Sequence, residues 1–120
     1  MSSKVVLVDA VRTPFGKAGS LYQGTRADDI MVRALRGLLE RNPKVFPADI
    51  DDVAIAAATQ SGDQGMNIGR SVSILAGLPT SVPGYSIDRW CAGAMTAVTT
   101  LSGAIALGQY DIAVSGGVEH

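Results

Sequence analysis

The sequence has a single cysteine, Cys91, and a single histidine, His120. One thiol cannot form an internal disulfide, and the pair is too sparse for a cysteine-rich or multi-histidine metal site. Aromatic residues make up only 5% of the chain, against 14 glycines. A core built from this composition must use small aliphatic side chains and closely approaching backbones. The net charge is −1 and no run of basic residues occurs, so there is no electrostatic footprint for nucleic acid. Long apolar runs are also missing. Val5–Val8 is too short for the core of a signal peptide, and Asp9 follows it directly. Residues 92–110 lack charge, but Thr96, Thr99, Thr100, Ser102, Gln109 and several glycines favour a buried helix over a membrane span. No G-x-G-x-x-G follows a strand, and no phosphate-binding P-loop pattern is present. These absences lead us to expect a cytoplasmic protein with no bound metal, no membrane partner and no nucleic-acid partner.

What remains is a chain of 120 residues, 47% hydrophobic and 18% charged, enough for one domain with a real core. Lys4–Ala10 reads as a strand buried on both faces, because its apolar residues run together without alternation. A loop with Pro14, Gly16, Gly19 and Gly24 follows, long enough to touch a ligand or partner chain. Ile30, Met31, Ala34, Leu35, Leu38 and Leu39 form one apolar stripe and predict a helix over Ala27–Arg41. Thr25 and Asp28 have capping-box spacing at its start, and Asn42-Pro43 ends it.

A strand is predicted over Val53–Ala58, a helix over about Asn67–Ala76, and a strand over Val82–Asp88. Gly77 and Pro79 have the spacing that closes a helix. A further helix runs from Cys91 to about Leu107, with Gly108 as its stop, and Asp111–Ser115 is the last strand. The order βαβαβαβ predicts an α/β fold, with a mainly parallel sheet covered by helices on both faces. Ligands of such sheets bind beyond the carboxyl ends of the strands. The Arg12-Thr13 loop, Cys91 and the Gly116-Gly117 turn all follow strand ends and can meet there.

Cys91 is the candidate catalytic residue. It lies where a strand hands over to a helix, and a helix start favours the thiolate, the nucleophilic form of cysteine. An ordinary thiol is only roughly 3% ionised at neutral pH, and half-ionisation requires on the order of 2 kcal/mol of bias. A helix start gives ~0.3–1 kcal/mol, so a neighbouring base is expected. His120, the last residue of the sequence, is not read as that base.

Several segments, in order, resemble the amino-terminal part of the thiolases, the acyl-CoA C-acyltransferases. They are Val11-Arg-Thr-Pro-Phe-Gly-Lys17, Gln60-Ser-Gly-Asp-Gln-Gly-Met-Asn-Ile-Gly-Arg70 with Ala76-Gly-Leu-Pro79, Asp88-Arg-Trp-Cys91-Ala-Gly, and Gly108 with Ser115-Gly-Gly-Val-Glu119. The resemblance covers essentially all 120 residues and makes them the amino-terminal portion of the thiolase N-terminal domain, with the rest of that domain and the C-terminal domain absent. It implies that Cys91 is acylated while a 3-oxoacyl-CoA is formed or cleaved. Acyl-CoA and coenzyme A would be substrates, with no further cofactor, and the full-length enzyme would be a homodimer or homotetramer. The Cys91 amide would serve as one oxyanion donor. Activating histidines, a second cysteine and the partner oxyanion loop would lie downstream, so the 120 residues alone would be nearly inactive.

This chain departs from the family pattern at Asp88, where Asn is frequent, at Gly93-Ala94, where Ser-Gly is usual, and at His120, where Ser is usual. The first two changes flank the nucleophile and are expected to bear on substrate shape. Two other readings fit parts of the sequence. A ketoacyl-synthase-like condensing enzyme accounts for Cys91 but not for the Arg12-Thr-Pro-Phe-Gly loop. A non-catalytic association module with a vestigial thiol would use the small-residue helix and the 60–67 loop as a subunit contact.

Overall fold

The computed structural model describes residues 4–120. At its centre is β1 (Asp52–Ala56), whose five residues are all buried. Its neighbours are β2 (Gly84–Ile87) on one side and β3 (Ala113–Gly117) on the other, both parallel to it. Ala56 stands opposite Ile87 on one side and Gly117 on the other, so the three strands finish level.

The period of two along β1 divides the core. Val53 and Ile55 face the helices α1 (Ala27–Arg41) and α2 (Ile68–Leu75), joining Met31, Val32, Leu35, Ile68 and Val72. Ala54 faces the other way, onto Ala97 and Leu101 of α3 (Gly93–Ala106). Helices thus cover both faces, as the βα alternation requires, and small residues let α3 lie close to the sheet.

The helix stops work as read from the glycines. Gly77 and Gly108 take left-handed conformations. Past α2, Gly77 N–H donates to Ile74 O and Leu78 N–H to Ser73 O. Past α3, Gly108 N–H donates to Ile105 O and Gln109 N–H to Ala104 O. Both are complete Schellman closures.

Three expectations are corrected. Lys4–Ala10 is not a strand, so the described order is αβαβαβ. The segment runs beside the outer edge of β3 but does not join its ladder; a cavity of about 290 Å³, lined by Val6, Leu7, Val8, Ile112 and Val114 among others, lies between them. Leu7 is accordingly 84% exposed. Its end is fastened elsewhere, through Asp9, which accepts from the Asn42 side chain at 2.9 Å and pairs with Arg41 at 3.1 Å.

Nor does the capping box form. Arg26 takes both carboxylate oxygens of Asp28 at 3.0 Å, and the Thr25 amide instead donates to Tyr22 O at 3.0 Å. A bidentate guanidinium outcompetes a single amide for that carboxylate. Finally, α3 is not buried all round: Gly93, Ala97 and Leu101 are buried, while Met95 and Val98 on its outer side are exposed.

Candidate active site

The chain leaves β2 at Ile87 and makes one 3-10 turn, Trp90–Ala92, before α3 begins at Gly93. Cys91 is the middle residue of that turn, and it is exposed. The bend is sharp because Trp90 adopts φ +46°, a left-handed conformation that costs a side-chain-bearing residue roughly 1–2 kcal/mol. Asp88 steadies the bend by accepting from the Trp90 amide at 3.4 Å. Asp88, Arg89 and Trp90 line an open depression beside the thiol. The cavity next to β3 borders none of these residues.

No side chain caps the start of α3. Arg89 reaches across the first turn to Thr96 Oγ1 at 3.1 Å, and Thr96 in turn donates to Ala92 O at 3.0 Å. The arrangement offers an accessible thiol, a positive helix start and a guanidinium on the same turn. That combination suits attack on a polarised carbonyl.

Gly93 faces the sheet, not the thiol's surroundings. A β-carbon there would sit 2.8 Å from Ala56 Cβ. Ala94 meets β3 in the same way, its Cβ 3.1 Å from where a Gly117 β-carbon would be. The Gly93-Ala94 departure from the family pattern is therefore a matter of packing behind the turn. Gly116 and Gly117, expected as a turn past the last strand, are instead the final residues of β3, paired with Ile55 and Ala56.

The Arg12-Thr13 loop is tied to the nucleophile's edge of the sheet only indirectly. Tyr22 Oη donates to Pro14 O at 2.6 Å, and Tyr22 O lies 2.8 Å from His120 Nε2. Arg12 itself stacks over Phe15, 5.6 Å from the ring centre. His120 is thus engaged with the loop and not with the thiol.

Sequence reasoning missed two glutamines. Gln60 Nε2 donates to Ala57 O at 2.7 Å and to Ile87 O at 3.2 Å. Gln64 is buried, donating to Thr59 O and Glu119 and accepting from the His120 amide. In sequence both look like ordinary polar residues of a turn-rich loop, and no local signal marks their partners.

The fold and the site together define an α/β protein with a parallel sheet, covered by helices on both faces, that presents an exposed cysteine on a strand-to-helix turn. The thiolase N-terminal domain matches residues 5–120, and the chain belongs to the thiolase family. It is 44% identical to the β-ketoadipyl-CoA thiolase of Pseudomonas aeruginosa over 119 residues, covering 99% of this chain and 30% of that protein. It is likewise 44% identical to the 3-ketoacyl-CoA thiolase of Aliivibrio salmonicida over 117 residues, covering 97% of this chain and 30% of the relative. The crystal structure of the Bacillus anthracis acetyl-CoA acetyltransferase superposes with a TM-score of 0.82 at 31% identity, over 89% of this chain and 27% of that one. The chain therefore spans about 30% of the length of the curated relatives it matches. None of the helices in the described residues is long and apolar enough to cross a membrane.

Proposed function

We propose that these residues are the nucleophile-bearing amino-terminal part of a thiolase-type acyl-CoA C-acyltransferase. The observation that carries this reading is the exposed Cys91 on the turn between β2 and α3, in a chain of the thiolase family. In the degradative direction, the Cys91 thiolate attacks the keto carbon of a 3-oxoacyl-CoA. The bond between that carbon and the α-carbon breaks, and the two-carbon fragment takes a proton and leaves as acetyl-CoA. The acyl group now held as a Cys91 thioester passes to the sulfur of a second coenzyme A, which gives up its thiol proton and restores the free cysteine. Run backwards, the same steps form the carbon–carbon bond. A thiolate suits both halves because it attacks carbonyl carbon readily and also leaves readily.

Coenzyme A thioesters are the substrates in this reading, and no separate cofactor is needed. The names of the related proteins, all acting on CoA thioesters, support that class. The Cys91 amide would donate to the developing oxyanion. Lacking a second donor typically costs about 10²–10³ in rate, so in this reading the second donor would come from outside the 30% of family length spanned here. In a cytoplasmic homo-oligomer of family length, the exposed Met95 and Val98 of α3 and the exposed Met66 are apolar surface for the missing parts or a second subunit to cover.

Mass spectrometry of the full-length protein after incubation with an acyl-CoA tests the assignment. The expected result is a single acyl adduct on Cys91, lost on adding coenzyme A. An adduct on any other residue, with Cys91 unmodified, overturns it.

A further inference from the structure

Ile87 is the last residue of β2, and its carbonyl oxygen is where the strand gives way to the nucleophile turn. The regular pairing of β1 with β2 ends at Ala56 and Ile87. Past that point two groups still join the strands. The Ala57 amide donates to Ile87 O at 3.3 Å, and Gln60 Nε2 donates to the same oxygen at 3.2 Å. The other hydrogen of the Gln60 amide goes to Ala57 O at 2.7 Å. The chain then makes its bend and comes back: a β-carbon on Gly93 would lie 3.7 Å from Ile87 O. Residues 88–92 thus form a loop that departs from one carbonyl and returns to it, with Cys91 near its crest.

We propose that Gln60 is a positioning residue for Cys91. Its carboxamide bridges the last carbonyl of β2 and the first residue after β1, and so sets the origin and tilt of the turn that presents the thiol. Gln60 acts through Ile87 and is not a catalytic residue. The geometry explains the residue type, since two donated bonds from one neutral nitrogen need a primary amide on a side chain of this length. The loop that carries Gln60 is itself fixed from behind. Gln64 donates to Thr59 O at 2.9 Å and to Glu119 at 3.0 Å, so the carboxamide of Gln60 is held against Ile87 by a backbone with little freedom. The inference rests on the reading of Cys91 as the nucleophile.

The test uses the full-length protein with Gln60→Glu and Gln60→Met. Both keep the side-chain length, and neither can donate both bonds. Three quantities are measured for each: kcat and KM for thiolysis of a 3-oxoacyl-CoA, the rate of Cys91 alkylation by iodoacetamide, and the melting midpoint. Displacing a reacting group by about 1 Å costs about 10²-fold. The expected result is a fall in kcat of about 10- to 100-fold, a near-constant KM, a changed alkylation rate and, in at least one variant, an unchanged melting midpoint. A folded variant with parental kcat and parental alkylation rate overturns the proposal, as does a loss of activity in both variants that only tracks loss of folded protein. Failure of the underlying reading looks different: alkylation of Cys91 would respond to Gln60 while the acyl adduct appeared elsewhere.

Discussion

Gln64 and Glu119 stand 55 positions apart in sequence and meet at 3.0 Å, side-chain nitrogen to carboxylate. Around that contact the two strand exits are sewn together. The other carboxylate oxygen of Glu119 accepts from the Ala58 amide at 2.7 Å, and Gln64 Oε1 accepts from the His120 amide at 2.7 Å. The backbone contributes as well, with the Val118 amide donating to Ala56 O at 2.9 Å. Side chains thus extend the pairing of β1 with β3 beyond the last rung of the ladder, toward the edge that carries Cys91.

The first prediction concerns that carboxylate. Glu119 is exposed, and what desolvation it has raises its pKa, but hydrogen bonds from Gln64, from the Ala58 amide and from Thr59 outweigh it and leave the value below the ordinary one. A folded-state pKa lower than the unfolded one stabilises the fold fully above the unfolded value, and the contribution is lost as pH falls through the folded value. Glu119→Gln should therefore lower the urea midpoint at pH 7. The gap from the parent should close as pH falls below about 4.3, the ordinary glutamate value. Equal midpoints at pH 7 would remove the carboxylate from the account.

Two glycines in helices should respond in opposite directions to alanine. Gly69, in α2, has no room for a β-carbon because the backbone of Tyr85 occupies its place, and Gly84 on β2 would in turn reach within 2.6 Å of Gly69 O. Overfilling a packed contact costs about 1–3 kcal/mol, more than the ~1 kcal/mol that alanine gains over glycine in a helix. Gly37, in α1, has nothing within 4 Å of a β-carbon. Gly69→Ala is expected to lower the melting midpoint and Gly37→Ala to raise it, by about 1 kcal/mol in the latter case. A stabilised Gly69→Ala would show that α2 and β2 are not in backbone contact.

These contrasts mark what could be read from the sequence. The span of α1, Ala27–Arg41, follows from its apolar stripe and matches the observed helix. The glycine stops after α2 and α3 are local chemistry, and both were legible. Cys91 was placed on its turn by the strand before it and the small-residue helix after it. The Lys4–Ala10 strand fails because a run of apolar residues states a preference, whereas a strand needs a partner edge within bonding distance. The Thr25–Asp28 cap fails because both of its groups are taken: Arg26 holds the Asp28 carboxylate and the Thr25 amide donates to Tyr22 O. Gln60 and Gln64 were silent for another reason: their partners Ile87 and Glu119 lie 27 and 55 positions away.

Residues 1–120 in isolation should self-associate. β3 is an outer strand of the sheet, and Val6, Leu7 and Val8 expose apolar side chains beside it. An unpaired edge next to apolar surface invites pairing with another chain. Sedimentation should show concentration-dependent species, and Leu7→Asp with Val8→Lys should reduce them. A monodisperse monomer that melts cooperatively would mean these surfaces need no cover.

The last prediction tests the packing behind Cys91. Serine is usual in thiolases where this chain has Gly93. Here a β-carbon at 93 would come within 2.8 Å of Ala56 Cβ, closer than two such atoms can approach. Gly93→Ser alone should therefore push α3 off the sheet, lowering stability by about 1–3 kcal/mol and displacing the turn that carries the thiol. Ala56→Gly alone costs up to about 1 kcal/mol, because glycine loses more chain entropy in a strand. Together the two changes exchange the methyl group across the same gap, and the double variant should recover stability that the single losses do not predict. In a double-mutant cycle the coupling should be about 1 kcal/mol or more and favourable, with Cys91 alkylation returning toward the parental rate. Additive losses would mean that the two residues do not share this space and that serine at 93 is excluded for some other reason. A favourable coupling would show that positions 56 and 93 share one gap with room for a β-carbon from only one side.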